Sequence, residues 1–368
     1  MIESRDSGSG TRRFQAGIIG ATGMVGQRFI AGLADHPWFE ISVLAASERS
    51  AGKTYGDVVK ERWALPTPVP PRVARMTVRN AANVNDIAKD VELVFCAVDM
   101  KKEEVRALED AYAKAEVPVI SNNSAHRWTP DVPMLLPEIN GAHLEVISAQ
   151  RKRLGTRRGF VAVKPNCSIQ SYVPLLHPLM DFKPTSVAVC TYQAISGAGK
   201  TFKDWPEMVD NVIPYIGGEE EKSEKEPLKI WGSVVDGRIV PATSPTITAQ
   251  CVRVPVTDGH LAAVFVSFEK KPSKGEILER WQQFHGRPQK LGLPSAPKQF
   301  IRYFEEDTRP QTRLDRDAAN GMGITAGRLR EDSLYHYKFI GLSHNTVRGA
   351  AGGAVLMAEL LMAEGYLR

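Results

Sequence analysis

Phe14-Gln15-Ala16-Gly17-Ile18-Ile19-Gly20-Ala21-Thr22-Gly23-Met24-Val25-Gly26 is an apolar strand that runs straight into three regularly spaced glycines, after which a helical pattern continues through Ala34. Strand, glycine turn and helix make the setting in which a backbone can cradle a phosphate. Glycines let the main chain come close to a pyrophosphate, and the helix start supplies unpaired N–H donors. The spacing is G-x-x-G-x-x-G rather than the commoner G-x-G-x-x-G, so the bare alternative is a tight βα turn with no ligand. The second strand, Glu40 to Ala46, ends in Ser47-Glu48-Arg49-Ser50. Folds that bind NAD place an acidic residue here against the ribose 2′-hydroxyl. Hydroxyls beside Arg49 suit a 2′-phosphate instead and favour NADP, while Glu48 leaves NAD open.

Further along, Lys53 to Pro71 is rich in proline and turn formers and is expected to wander over the surface. Val91 to Val98 and Pro118 to Ser121 are strands, separated by the charged amphipathic run Lys101 to Ala115. Strand–helix units repeated up to about residue 155 predict an α/β fold built on a doubly wound parallel sheet. Its strand ends should hold ligand, and Asn122-Asn123-Ser124-Ala125-His126-Arg127 opens from one of them. Arg127 on its own is as well explained by a surface ion pair. The dense basic run Arg151, Lys152, Arg153, Arg157 and Arg158 has no aromatic residues interleaved with it and reads as a solvated crossover to a second domain, not a nucleic-acid patch.

With 368 residues there is material for two cores, and 43% apolar with 24% charged content is ordinary for a soluble enzyme. The net charge of +5 is spread along the chain. No apolar run reaches the ~18 residues of a membrane span. Met1 to Arg13 is polar, lacks the apolar centre of a signal peptide and is expected to be a flexible tail. The four cysteines, Cys96, Cys167, Cys190 and Cys251, form no C-x-x-C pair and no metal-type spacing with histidine, so no metal is expected and a reducing, cytoplasmic setting is.

Three of those cysteines sit inside strand-like runs and read as core thiols. Cys167 differs. In Lys164-Pro165-Asn166-Cys167-Ser168-Ile169-Gln170 it follows a strand and a Pro-Asn turn and opens a helix that Pro174 and Pro178 will kink or shorten. A sulfur at a helix start is expected to be drawn toward the thiolate by free N–H groups and the helix dipole, and the thiolate is the nucleophile. Later, Ser186 to Gln193 is a strand broken by the glycine loop Ile195 to Lys200, and Ser223 to Trp231 reads as a solvated helix. Thr246 to Val256 carries Arg253, Thr257-Asp258-Gly259 is a turn, and His260 opens the returning strand Leu261 to Phe268. A hairpin of this kind places Arg253 and His260 at one end of a sheet. His260 is by default a satisfied strand-end histidine, but beside one poised thiol it can serve as acid and base. Tyr335 to Gly341 is a strand, and the small residues after Ser343 lead into a helix, Ala354 to Ala363, expected to return to the first domain.

Taken together, GATGMVG, SNNSAHR, KPNCSIQ, TYQAISGAG, GGEEEK, CVRVPVTDGH and HNTVRGAAGG make the chain resemble aspartate-semialdehyde dehydrogenases, most of all the archaeal- and fungal-like branch, over about residues 14 to 365. The resemblance implies a Rossmann NADP-binding domain over 14–155 and 346–368, and a catalytic and dimerisation domain over 156–345, in a homodimer or homotetramer. It implies NADPH-dependent conversion of L-4-aspartyl phosphate to L-aspartate 4-semialdehyde through a cysteine thioester, toward lysine, threonine, methionine and isoleucine. Cys167 matches the nucleophile, His260 the acid/base and Gln193 the residue that positions the acyl group. Arg253 matches the grip on the α-carboxylate, Glu219 (or Glu220, since three glutamates are consecutive) the partner of the amino group, and Arg127 and Lys222 the phosphate site. Gly20, Thr22, Gly23, Met24 and Val25 match the pyrophosphate loop, with Ser47, Arg49, Ser50, Ser196, Gly197 and Asn345 along the rest of the cofactor. Two alternatives stay open: a malonyl-CoA reductase of the same fold, and an NADPH-binding redox sensor without turnover.

Overall fold

The computed structural model describes residues 12–367, so all of the expected tail except Arg12 and Arg13 lies outside the described residues. Six strands, β1 (Phe14–Ile19), β2 (Phe39–Ala46), β3 (Val78–Asn80), β4 (Leu93–Cys96), β5 (Val119–Ser121) and β6 (Val161–Val163), form one all-parallel sheet in the order β3-β2-β1-β4-β5-β6. This is the doubly wound dinucleotide-binding order, with its switch point between β1 and β4. The strands are apolar on both faces because both faces are covered. Ile18, Leu93, Phe95 and Ile120 pack with Phe29 and Ile30 of the helix Met24–Leu33. Ile19, Val94, Val119 and Val163 point the other way, into a core that they share with Ile87, Tyr112 and Ala113 and that is continuous with that of the second sheet. The last strand lies beyond residue 155, so the chain leaves this sheet only after Val163.

The second sheet is mixed. Strands β7 (Pro184–Gln193), β10 (Thr246–Arg253), β11 (His260–Phe268), β12 (Ile301–Phe304), β13 (Ile324–Glu331) and β14 (Tyr337–Ser343) are ordered β10-β7-β11-β14-β13-β12, and a small hairpin, β8 (Ser233–Val235) and β9 (Arg238–Val240), stands apart. The expected hairpin of β10 with β11 does not form. β7 lies between them, parallel to β10 and antiparallel to β11, so the turn at 257–259 spans a strand. Gln193 is in register with Arg253, and the end of β7 meets the start of β11. Arg253 and His260 still come to one end of the sheet, with Gln193 between them.

The helix Gly352–Ala363 returns to the first sheet, where Ala354, Leu356, Met357 and Leu360 complete its core. The segment after Cys167 is broken as two prolines require, into Ser168–Ser171, Val173–Leu176 and His177–Phe182. The helix Glu219–Ile230 is not the solvated element its charges suggest, since Glu219, Ser223, Glu226 and Lys229 are buried along one side. No helix among the described residues is long and apolar enough to cross a membrane.

Candidate active site

The turn before Cys167 is shaped by Asn166. Its Oδ1 accepts from both the N–H and the hydroxyl of Ser168 at 2.7 Å, and its Nδ2 donates to the two oxygens of Glu219 at 3.0 and 2.9 Å. The turn places the half-buried Cys167 on the wall of a cavity of about 390 Å³. Arg127, Gln193, Ser196, Gly197, Glu219, Lys222, Arg253 and Asn345 line the same cavity, together with Val25 from the glycine turn. His260 is fully buried behind it, with Nε2 3.5 Å from Cys167 Sγ. Two glycines permit this crowding. A Cβ on Gly197 would lie 2.9 Å from Arg253 Nη1 and 3.0 Å from His260 Nε2, and one on Gly349 would lie 2.8 Å from Cys167 Cβ.

Ala194 donates its backbone N–H to His260 Nδ1 at 3.1 Å, which assigns the ring hydrogen to Nε2, facing sulfur. Burial, reinforced by Arg253, pushes the imidazole down to about 3, so it is neutral at ordinary pH. The resting ring is a donor toward sulfur. It can steady a thiolate or deliver a proton, whereas accepting one at Nε2 requires the other tautomer.

The expectation of a thiolate at rest is corrected. Burial pushes the Cys167 thiol up to about 11, Glu219 adds to this, and Arg127, Lys164 and Arg253 only partly oppose it. The four-residue turn of 3-10 helix that follows cannot compensate, and two of the N–H groups expected to face sulfur are already taken. Asn166 N donates to Glu226 at 2.6 Å and Ser168 N to Asn166 Oδ1. The Cys167 N–H makes no hydrogen bond among the described residues.

The charged groups are set around the sulfur. Burial pushes the Glu219 carboxyl up, but Lys222 at 2.7 Å and the amides of Asn166 and Gln193 outweigh it, and the group stays ionised. Glu220 instead accepts from the backbone N–H of Cys251 at 3.2 Å, and of the two it is Glu219 that lines the cavity. Arg253 is buried, gives Nη1 to Ala194 O at 2.7 Å and keeps the rest of its fork for the cavity. Asn345 links Ser196 Oγ and the Gly259 N–H, both at 2.8 Å, tying the glycine loop to the turn that presents His260.

A larger cleft of about 910 Å³ runs along the strand ends of the first sheet, lined by Gly20, Thr22, Gly23, Ser47, Glu48, Arg49 and Ser50. Met24 lines neither this cleft nor the cavity. Lys53 and Arg62 also line it, from the segment expected only to cross the surface. That segment is anchored by Tyr55, whose hydroxyl donates to Ala21 O at 2.9 Å. The helix Met24–Leu33 has neither a side-chain cap nor an acidic residue in its first turn, so its N–H groups are left for an anion. These residues fit a dinucleotide with a 2′-phosphate. Among the described residues no cluster of three or more His, Cys, Asp or Glu could hold a metal.

Comparison with known proteins agrees with this geometry. Residues 15–147 match the family described as semialdehyde dehydrogenase, NAD binding domain, and residues 176–348 match semialdehyde dehydrogenase, dimerisation domain. An aspartate-semialdehyde dehydrogenase of Archaeoglobus fulgidus is 43% identical over 364 residues, covering 96% of this chain and 99% of its own length. One of Aspergillus fumigatus is 41% identical over 362 residues, covering 96% and 98%. The crystal structure of aspartate semialdehyde dehydrogenase with NADP from Candida albicans superposes with a TM-score of 0.86 at 36% identity, over 96% of this chain and 100% of that one.

Proposed function

The chain belongs to the aspartate-semialdehyde dehydrogenase family, and we propose that it reduces L-4-aspartyl phosphate to L-aspartate 4-semialdehyde with NADPH, releasing phosphate, through a thioester on Cys167. The observation that carries this reading is a thiol 3.5 Å from an imidazole within one ring of Arg127, Lys222, Arg253 and Glu219. The ring matches a substrate with a phosphate, a carboxylate and an ammonium.

Arg253 presents a fork to the α-carboxylate, and Glu219 accepts the ammonium. That ammonium offsets the Glu219 charge that adds to burial in holding the thiol up, so substrate itself favours ionisation of Cys167. Sulfur then forms the S–C bond at the acyl carbon, the C–O bond to phosphate breaks, the thiol proton leaves with the phosphate as hydrogen phosphate, and Arg127 and Lys222 hold the departing anion. The Cys167 N–H, which has no partner among the described residues, would donate to the oxyanion. The cleft residues Gly20, Thr22, Gly23, Ser47, Arg49, Ser50, Lys53 and Arg62 would hold the cofactor, with Val25, Ser196, Gly197 and Asn345 at its reactive end. When bound, NADPH supplies hydride to the thioester carbon. Collapse of the adduct breaks the C–S bond, the sulfur leaves as a thiolate into the hydrogen bond from His260 Nε2, and a proton from water restores the resting thiol.

The test is phosphate-dependent reduction of NADP⁺ by aspartate semialdehyde, with NADPH oxidation by malonyl-CoA run in parallel. Cys167→Ser should abolish turnover and keep NADPH binding. More than about a tenth of wild-type activity in that variant ends the thioester reading, since removing a nucleophile usually costs orders of magnitude. A homodimer fits the match to a dimerisation domain and the outward face of the second sheet, where Tyr192 is exposed and Val252 and Leu261 are half-exposed. A cytoplasmic site fits four unpaired thiols.

A further inference from the structure

The helix Glu219–Ile230 carries more than the two residues that line the cavity. Its buried polar side chains recur at 219, 223, 226 and 229, the spacing of a single helix face. Glu226, only 1% exposed, spends both oxygens on parts of the site that are far apart in sequence. Its Oε1 accepts from Arg127 Nη1 at 2.9 Å, and its Oε2 from the backbone N–H of Asn166 at 2.6 Å. One turn later, Lys229 Nζ donates to the carbonyls of Arg127, Thr129 and Val132 at 2.6, 3.1 and 3.2 Å. The loop that bears Arg127 is therefore held by its guanidinium and its main chain from one helix face.

The hydrogens of Arg127 can be accounted for one by one. A guanidinium has five. Nε gives one to Lys164 O at 3.0 Å, Nη1 one to Glu226 and Nη2 one to Asn122 O at 3.4 Å, leaving two, one on each terminal nitrogen. Two parallel N–H groups are what a phosphate edge accepts. Because Arg127 lines the cavity beside Lys222, these two are the ones available there.

We propose that Glu226 is a positioning residue for the phosphate end of the substrate: it aims the free edge of Arg127 into the cavity and, with its other oxygen, locks the peptide ahead of Cys167. This rests on the assignment of Arg127 to phosphate. Sharing one carboxylate couples the two, so the anion grip and the nucleophile keep a fixed spacing. With Asn166 N–H given to Glu226 and Ser168 N–H to Asn166 Oδ1, the Cys167 N–H is left without a partner among the described residues and free for the oxyanion.

Glu226→Gln separates positioning from folding. Its amide oxygen can still accept from Asn166 N–H, but its amino group then faces Arg127 and cannot accept. In the phosphate-dependent reverse reaction, KM for inorganic phosphate should rise about tenfold, the scale of one charge-assisted hydrogen bond. KM for NADP⁺ should stay within about twofold, since nothing in the cofactor cleft has changed. Glu226→Asp, which keeps the charge, should recover part of the phosphate affinity and covers the case in which the glutamine variant does not fold. In an Arg127→Lys background the further substitution should add nothing. The proposal is overturned if Glu226→Gln leaves the phosphate KM unchanged, raises the phosphate and NADP⁺ constants equally, or adds its full effect to Arg127→Lys. Should the wild-type enzyme show no phosphate-dependent turnover, the proposed reaction fails on its own account. Protection of Cys167 from iodoacetamide by inorganic phosphate then reads the same contact: a half-protecting concentration raised about tenfold in Glu226→Gln upholds the role, and one left unmoved removes it.

Discussion

Gly349→Ala adds one carbon next to the nucleophile and changes no charged or hydrogen-bonding group. The new Cβ would stand 2.8 Å from Cys167 Cβ and 3.2 Å from its Cα. Carbon atoms sit comfortably at about 3.5 Å or more, so the two must part by about 0.7 Å. The segment carrying residue 349 cannot easily give way. Arg348 is fully buried in an ion pair with Glu138, its Nε donates to Gln170 Oε1 at 3.3 Å, and the Gly349 N–H is bonded to His344 O at 2.8 Å. Cys167, half-buried at an open cavity, moves instead and carries its sulfur off the line to His260. Displacements approaching 1 Å in a reacting group cost on the order of a hundredfold in rate, and overpacking costs about 1–3 kcal/mol in stability. The assay is kcat of the reverse reaction, with NADPH binding by fluorescence as the control and chemical denaturation for stability. The shortest contact needs a Cβ at both positions, so in a Cys167→Gly background, where only the 3.2 Å approach to Cα remains, the alanine should cost clearly less stability. A Gly349→Ala enzyme that keeps more than about a third of wild-type kcat, or one whose instability is undiminished without the Cys167 side chain, refutes the reasoning, because the Cβ–Cβ term must vanish with either partner.

Three further outcomes are expected. In the free enzyme the rate of Cys167 alkylation should keep climbing past pH 9 toward about 11, and Glu219→Gln should move that curve to lower pH by removing a negative neighbour; a plateau below pH 8 contradicts the assigned burial. His260, His344 and His177 are pushed down to about 3, 4 and 4 by burial, so in the fold they stay neutral where the unfolded chain is already protonated. Protons therefore favour the unfolded state below about pH 6.5, and denaturation midpoints should fall as pH drops from there toward 4, less steeply in His260→Asn. Lys53→Ala should raise KM for NADPH about tenfold and leave NADH use unchanged, as loss of one phosphate contact requires; equal effects on both cofactors would place Lys53 elsewhere than the 2′-phosphate.

Where partners are local, the sequence was informative. The strand and glycines from Phe14 to Gly26 predict the first sheet because a βα turn is determined by its own residues, and the prolines at 174 and 178 break the helix they occupy. Strand order is another matter. Nothing in the turn at 257–259 reveals that β7, some sixty residues earlier, lies between β10 and β11. The charged helix Glu219–Ile230 misleads in the same way, because the partners of Glu226 stand 99 and 60 positions away. Only the repeat of polar residues at helical spacing hinted at a buried face. The thiol was misjudged because a helix start is visible in sequence, whereas the burial that outweighs it is set by tertiary packing. Lys53 and Arg62 were missed because their segment reads as turns, and the partners that fix it are remote in sequence: Tyr55 reaches Ala21 under the glycine loop, and Gln27 bonds Arg62 O and the Ala64 N–H.

The helix Gly352–Ala363 seals a core begun by the strand at residue 14, and its one buried carboxylate, Glu359, accepts from His36 at 2.8 Å and from the Ser295 N–H at 3.0 Å. On the ribosome, the parallel sheet is complete in sequence once Val163 has emerged, yet its apolar face waits for roughly 190 more residues. At about 5–20 residues per second that is on the order of ten to forty seconds in which that face is covered by the helix Met24–Leu33 but not yet by the helix Gly352–Ala363. Nascent chains stalled before residue 352 should therefore be captured by chaperones that chains stalled beyond the helix escape.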